Sequence, residues 1–143
     1  MSIKHMTTYL SRSPEETMKI ARQLVQGMDP GTILYLFGEL GSGKTVFVKG
    51  LCEGLGVKEV VTSPSFVIAT EYEGRMPVSH IDLYRLQPNE VLDLHLEDYL
   101  LAHGVSVIEW ADRLNEFEDR CIRVMIKIAK RMEREIVIED TRN

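Results

Sequence analysis

Apolar and polar positions alternate most regularly toward the C-terminus. Ile122, Val124, Ile126 and Ile128 fall on one side of a period-two pattern, Arg123 and Lys127 on the other, and Ile136 and Ile138 resume it after a turn at 130–133. This predicts a half-buried β-hairpin. Two unbroken apolar runs, Thr32-Ile33-Leu34-Tyr35-Leu36-Phe37 and Val105-Ser106-Val107-Ile108, read as strands, the second buried and ending in Glu109-Trp110. The period changes at Val48, Leu51, Cys52 and Leu55, whose i, i+3, i+4, i+7 spacing marks one face of a helix ending near 54–56. An earlier helix starts at Ser13-Pro14-Glu15-Glu16, with Ser13 as N-cap, Pro14 at the first helical position and Glu16 closing a capping box. Its apolar face is Met18, Ala21, Val25 and Met28, and it stops near Gly27. Residues 5–11 form a short first strand. Residues 66–72 and 78–84 form a hairpin turned at 74–77, residues 90–101 are mainly helical, and 111–117 are a helical connector. The sum is one α/β domain over residues 1–143, a partly parallel, mixed central sheet flanked by helices and carrying β-hairpins.

Between the first apolar strand and the 3.6-period helix lies Gly38-Glu39-Leu40-Gly41-Ser42-Gly43-Lys44-Thr45. It fits the phosphate-loop pattern G-x-x-x-x-G-K-[ST], in the strand–turn–helix setting the pattern requires. Gly38, Gly41 and Gly43 let the backbone turn with positive φ, so that successive N–H groups point at one centre. The helix N-terminus adds partial positive charge there. Lys44 brings a full charge to the β- and γ-phosphates of a nucleotide, and the Thr45 hydroxyl is placed to ligate Mg²⁺. The fold is therefore expected to be P-loop NTPase-like, with ATP and Mg²⁺ at the carboxyl ends of the central strands. A glycine-rich turn before an ordinary helix is the alternative, and the Lys-Thr pair with its flanks argues against it. Gly50 and Gly54, inside the helix, cost it about 1 kcal/mol each relative to alanine.

Composition adds limits. The 143 residues hold 44% hydrophobic and 27% charged positions, ordinary for one globular domain. A net charge of −5 argues against a surface that grips nucleic acid over its whole extent. Cys52 and Cys121 lack any zinc or redox spacing and read as small buried hydrophobes. No apolar run approaches the roughly 18 residues of a membrane span, and the N-terminus lacks a signal-peptide core. The expectation is a cytoplasmic protein that makes no membrane contact.

A nucleotide hydrolase needs a carboxylate for Mg²⁺ and a group that orients the attacking water. Asp82 and Glu109 both end strands. Spacing does not rank them. The more apolar strand before Glu109 favours it as the metal acid, with Asp82 holding a metal-bound or attacking water. His80 reads as a structural strand histidine or as a donor behind the acids. Trp110 reads as packing or as a wall of the site. Arg85 reads as a surface ion pair, a charge stabiliser or a partner contact. Residues 120–134 carry Arg120, Arg123, Lys127, Lys130, Arg131 and Arg134 against Glu133 alone. That is either a local RNA or acidic-protein footprint or a solvated hairpin face.

Together, the 38–45 loop, Ser63-Pro64-Ser65-Phe66, His80-Ile81-Asp82-Leu83-Tyr84-Arg85, Leu96-Glu97-Asp98-Tyr99-Leu100 and Glu109-Trp110 resemble, in that order, the TsaE (YjeE) family. These are small bacterial ATPases of tRNA threonylcarbamoyladenosine biosynthesis. The resemblance spans nearly the whole chain. It implies slow, Mg²⁺-dependent ATP hydrolysis and docking on a TsaB–TsaD pair, with tRNA met only through that complex. It further implies that Thr45 and Glu109 belong to the metal site and that Asp82 is needed for hydrolysis. By the same resemblance, Ser63, Pro64, Ser65 and Phe66 form a nucleotide-sensing switch, and the first helix, near Ser13 and Thr17, lies by the adenine. The family often has Thr where Ser65 stands, which keeps the hydroxyl. It often has Gly where His95 stands, which changes the local turn. Two other functions use the same loop: a small-molecule kinase, and a nucleotide-gated binding module without turnover.

Overall fold

In the central strands every residue, or nearly every one, must be apolar, because both faces are covered. Val105–Glu109 meets that demand with all five residues buried, and it forms β5. The computed structural model describes residues 5–63 and 68–142. Its elements run β1 (His5–Ser11), α1 (Pro14–Val25), β2 (Ile33–Phe37), α2 (Lys44–Gly54), β3 (Ala69–Tyr72), β4 (Val78–Asp82), α3 (Pro88–Asp93), β5, β6 (Ile122–Lys130) and β7 (Glu133–Asp140). One seven-stranded sheet takes the order β1-β7-β6-β2-β5-β4-β3. The four central strands, β6, β2, β5 and β4, are parallel, and antiparallel pairings close both sides. This is the expected mixed α/β sheet, and both hairpins are present.

Helices α1 and α2 lie together on one face. Phe47, Val48, Leu51, Cys52 and Leu55 seat α2 on the core, and Ile20, Ala21, Val25 and Met28 seat α1. Ile20 thus takes the place expected of Met18, which is half-buried. Burial pushes the Cys52 thiol up to about 12, in keeping with a small hydrophobe. Gly50 has a use beyond its cost to helix propensity. A Cβ there would meet the Met18 carbonyl oxygen at 2.5 Å and the Ala21 Cβ at 2.8 Å, so the glycine lets the two helices cross.

Two expected helices are much shorter than their patterns suggested. Residues 90–101 give the six-residue α3, closed by a Gln87–Glu90 capping box, and then a single 3₁₀ turn over Leu96–Tyr99. Leu94 between them is extended, at ψ 124°. The cause is periodic: Val91, Leu94, Leu96 and Leu100 are spaced three, two and four apart, which no single helix face can hold. The 111–117 connector is one 3₁₀ turn, Ala111–Arg113. Beyond it, Phe117 folds back edge-on against Tyr35, 4.9 Å between ring centres. β4 stops at Asp82, two residues before its expected end. β3 begins at Ala69, and residues 66–67 of that expected strand lie outside the described residues. His95 takes φ −81°, an ordinary conformation, so the turn there makes no demand for glycine. Among the described residues no helix is long and apolar enough to cross a membrane.

Candidate active site

Register decides which residues meet. In the parallel sheet Leu36 of β2 pairs with Glu109 of β5, and Glu109 with Asp82 of β4. The two acids therefore stand side by side at the carboxyl edge, next to the strand that feeds the 38–45 loop. The loop leaves β2 at Gly38 and becomes α2 at Lys44. Gly38, Gly41 and Gly43 take φ of 156°, 81° and 104°. A Cβ on Gly38 would meet Ser42 Oγ at 2.5 Å and the Ile126 carbonyl oxygen at 2.9 Å, so the loop closes tightly against β6. Gly43 is the N-cap of α2 and offers no side-chain acceptor to its first N–H groups. Those donors, the helix dipole and the buried Ser42 hydroxyl, which has no hydrogen-bond partner, form a cradle suited to an anion.

Lys44 is 6% exposed. Its ammonium donates to the carbonyls of Gly38 (2.5 Å) and Glu39 (3.1 Å) and lies 4.0 Å from the centre of the Trp110 ring. Burial lowers its pKa, and Glu109, Asp82, Asp112 and Glu39 act in the opposite direction. Trp110 is the sole non-glycine residue with positive φ among the described residues, at 58°. Such backbone costs of order 1–3 kcal/mol and concentrates at functional sites. Here it lets two successive residues serve one site: Glu109 reaches it from the helix face of the sheet, and Trp110 crosses the edge to cover Lys44. Tyr84 packs on Trp110 at 4.8 Å, and the Arg113 guanidinium lies 6.0 Å from the Tyr84 ring. Arg85 is exposed beside them.

The two acids differ in setting. Glu109 is 2% exposed and its Oε2 lies 2.5 Å from Nε2 of the fully buried His80. The other ring nitrogen of His80, Nδ1, has no partner. The histidine is thus the buried companion of Glu109 and more than strand filling. Asp82 is half-buried. One of its oxygens accepts from the Ser63 hydroxyl (2.9 Å) and the other from the Tyr84 N–H (2.9 Å). It ties the chain just before the expected switch to the turn after β4; Pro64, Ser65 and Phe66 lie outside the described residues. Among the described residues, no three His, Cys, Asp or Glu side chains converge as a metal cage. The donor set, Thr45 with Glu109 and Asp82 nearby, fits Mg²⁺, which keeps water and ligand oxygens around one or two carboxylates.

On the outer side of the loop, a pocket of about 150 Å³ is lined by Ser13, Thr17, Gly43, Val46, Met132 and Arg134, among others. It joins the start of α1 to the loop. Both hydroxyls are already engaged: Ser13 Oγ accepts from the Glu16 N–H (3.1 Å), and Thr17 Oγ1 lies 2.7 Å from Ser11 Oγ. The Glu16 carboxylate accepts from the Arg12 N–H (3.1 Å), one residue outside the expected capping box. Arg134 donates to the carbonyls of Ser42 (3.0 Å) and Gly41 (3.3 Å), anchoring the loop to the C-terminal hairpin. Nothing in its sequence context marks it out from the other basic residues. The rest of the basic segment is dispersed. Lys127 faces Glu135 and Lys130 faces Glu133 across the hairpin, while Arg123 lies 4.7 Å from the Phe117 ring centre. This favours the solvated hairpin face over a nucleic-acid footprint.

The sequence model of the family described as "Threonylcarbamoyl adenosine biosynthesis protein TsaE" matches residues 11–136. A tRNA threonylcarbamoyladenosine biosynthesis protein TsaE from Bacillus subtilis is 43% identical over 126 residues, covering 87% of this chain and 79% of that protein. Its counterpart in Treponema pallidum is 34% identical, over 90% of this chain and 97% of the relative. The crystal structure of Bacillus subtilis YdiB superposes with a TM-score of 0.83 at 35% identity, covering 97% of this chain and 88% of that one.

Proposed function

This chain belongs to the TsaE family of tRNA threonylcarbamoyladenosine biosynthesis, and from that premise we propose that it is a Mg²⁺-dependent ATPase whose turnover is coupled to a TsaB–TsaD pair. The pair threonylcarbamoylates the adenosine beside the anticodon, and the chain works with it in the cytoplasm, meeting tRNA only through the complex. The observation that carries this reading is the meeting of the 38–45 loop and its Lys44 with Glu109 and Asp82 on adjacent strand ends. Lys44 exchanges the Gly38 and Glu39 carbonyls for phosphate oxygens. The α2 N-terminus and loop N–H groups hold the phosphates. Thr45 and Glu109 would hold Mg²⁺, which when bound would supply positive charge against the phosphates. Asp82, the more accessible acid, orients the attacking water. Trp110 covers Lys44 and keeps bulk water away from it.

The self-bonded Lys44 fits slow turnover by the chain alone. In P-loop enzymes an arginine finger adds about 10³–10⁵ in rate. The Arg134 guanidinium, which touches the loop, is committed to its carbonyls. We therefore expect the partner pair to raise the rate. ATP hydrolysis by the purified chain, alone and with the pair, with Glu109→Ala as control, tests this. A low rate that rises with the pair and vanishes in the mutant supports the coupling ATPase. A flat rate with a bound pair removes it, and phosphate transfer to a small acceptor would point to a kinase.

A further inference from the structure

The face of the sheet away from α1 and α2 carries a groove of about 590 Å³. Its floor includes Tyr35, Leu96, Leu100 and Phe117, and Leu92 stands at its rim, 70% exposed. Its charged lining residues are Glu97, Glu116 and Glu118, all exposed, and no lysine or arginine lines it. The imbalance extends through residues 87–119, where nine acids face one base, Arg113. The remaining positions carry sixteen bases against thirteen acids. Arg113 does not line the groove, and its guanidinium donates to the Leu86 carbonyl at 2.8 Å. Three of these nine acids, Glu97, Glu116 and Glu118, line the apolar groove, while Glu109 is buried at the candidate site on the other face.

We propose that this groove docks a segment of a protein partner carrying Lys or Arg around an aliphatic or aromatic anchor. This rests on the reading that the chain works through a protein partner, and it names the surface. Charge selects the occupant. A second copy of the chain would bring two acidic rims together, and RNA would set phosphates against carboxylates. A basic segment satisfies the rim while its anchor fills the apolar floor. The floor also leads to the catalytic loop. Phe117 packs on Tyr35 at 4.9 Å and on Phe37 at 5.9 Å, Tyr35 Oη accepts from the Glu118 N–H, and Phe37 directly precedes Gly38. An occupant of the groove therefore presses on the strand that feeds the loop.

The test is binding of the full chain to a purified TsaB–TsaD pair by biolayer interferometry, over a range of salt. Glu116→Lys with Glu118→Lys slows association by about tenfold and flattens its salt dependence, because rim charges act on encounter. Leu92→Ser instead speeds dissociation, because an apolar contact holds the formed complex. Lys130→Glu with Arg131→Glu, on the opposite hairpin, leaves binding intact. Unchanged circular dichroism and thermal midpoints show that the variants are folded. Wild-type binding that both groove variants leave unchanged overturns the groove alone. Failure of the wild-type chain to bind the pair overturns this proposal together with the functional reading beneath it.

Discussion

On one face of the sheet two regular helices cross so closely that Gly50 has no room for a Cβ. On the other, residues 83–104 and 110–119 cover β2, β4 and β5 with a six-residue helix, two single turns and irregular chain. The first face encloses the larger core cluster, from Ile20 to Ile138. The second is a smaller cluster whose cover is largely half-buried and leaves the groove open. The candidate site draws on both faces. Lys44, Glu109 and His80 come from the rigid one, while Trp110 and Tyr84 come from the irregular one. The division suggests that the helix face fixes positions and that the irregular face is free to respond.

The comparison breaks most visibly at His80. His80→Ala leaves the Glu109 carboxyl buried without its companion, and breaking a buried acid–base pair costs about 3–5 kcal/mol. The exposed ring of Tyr84, on the irregular side, tolerates alanine at about 0.5 kcal/mol. Urea denaturation of both variants gives the contrast directly. Equal losses would mean that the two faces share the load and that the distinction is wrong.

Lys44→Ala separates binding from stability within the rigid face. Each lost charge-assisted contact to a nucleotide phosphate removes about 1.5–3 kcal/mol of affinity. Folding stability changes much less, because burial already disfavours the Lys44 ammonium, as the direction of its pKa shift shows. Calorimetric titration with ATP beside thermal unfolding reads both quantities. A large stability loss with unchanged affinity would recast Lys44 as a structural residue.

Legibility in the sequence follows the same division. α2 was readable because Val48, Leu51, Cys52 and Leu55 hold one face without interruption, and β6–β7 because Ile122, Val124 and Ile126 alternate with Arg123 and Lys127. Ile128 departs, 42% exposed where a ladder irregularity begins. The over-long helices at 90–101 and 111–117 belong to the irregular face, where the apolar positions keep to no helical period. At the site, the loop and both acids were visible as residue types at strand ends. His80 was visible as one candidate donor behind the acids, but its pairing with Glu109 was not, because that depends on the parallel register of β4 with β5. Arg134 was hidden for a similar reason: its partners, Gly41 and Ser42, lie more than ninety residues away.

A smaller effect tests how tight the helix face is. Gly50→Ala forces the Met18 backbone and the Ala21 side chain apart, and overpacking of this kind costs about 1–3 kcal/mol. The gain in helix propensity, about 1 kcal/mol, offsets part of it. At Gly27 the same substitution would meet only the Leu24 carbonyl oxygen at 3.9 Å. There it is expected to stabilise by about 0.4–1 kcal/mol through the unfolded chain. Opposite signs in thermal unfolding would confirm the close crossing, and a neutral Gly50→Ala would show that the helices can slide apart.

The smallest effect lies where the helix face meets the outer pocket. Ser13 Oγ accepts from the Glu16 N–H, so its first task is to cap α1. Ser13→Ala should cost about 1 kcal/mol and Ser13→Gly only a few tenths, the signature of a cap. With the hydroxyl occupied in this way, ATP affinity should follow neither substitution. A nucleotide base in that pocket would be held by the apolar surfaces of Val46 and Met132, which line it together with Ser13. Met132→Ala should then weaken ATP more than phosphate-only ligands such as triphosphate, measured by competition. If Ser13→Ala weakens ATP selectively while stability is unchanged, the hydroxyl belongs to the ligand, and the start of α1 is part of the site as well as of the scaffold.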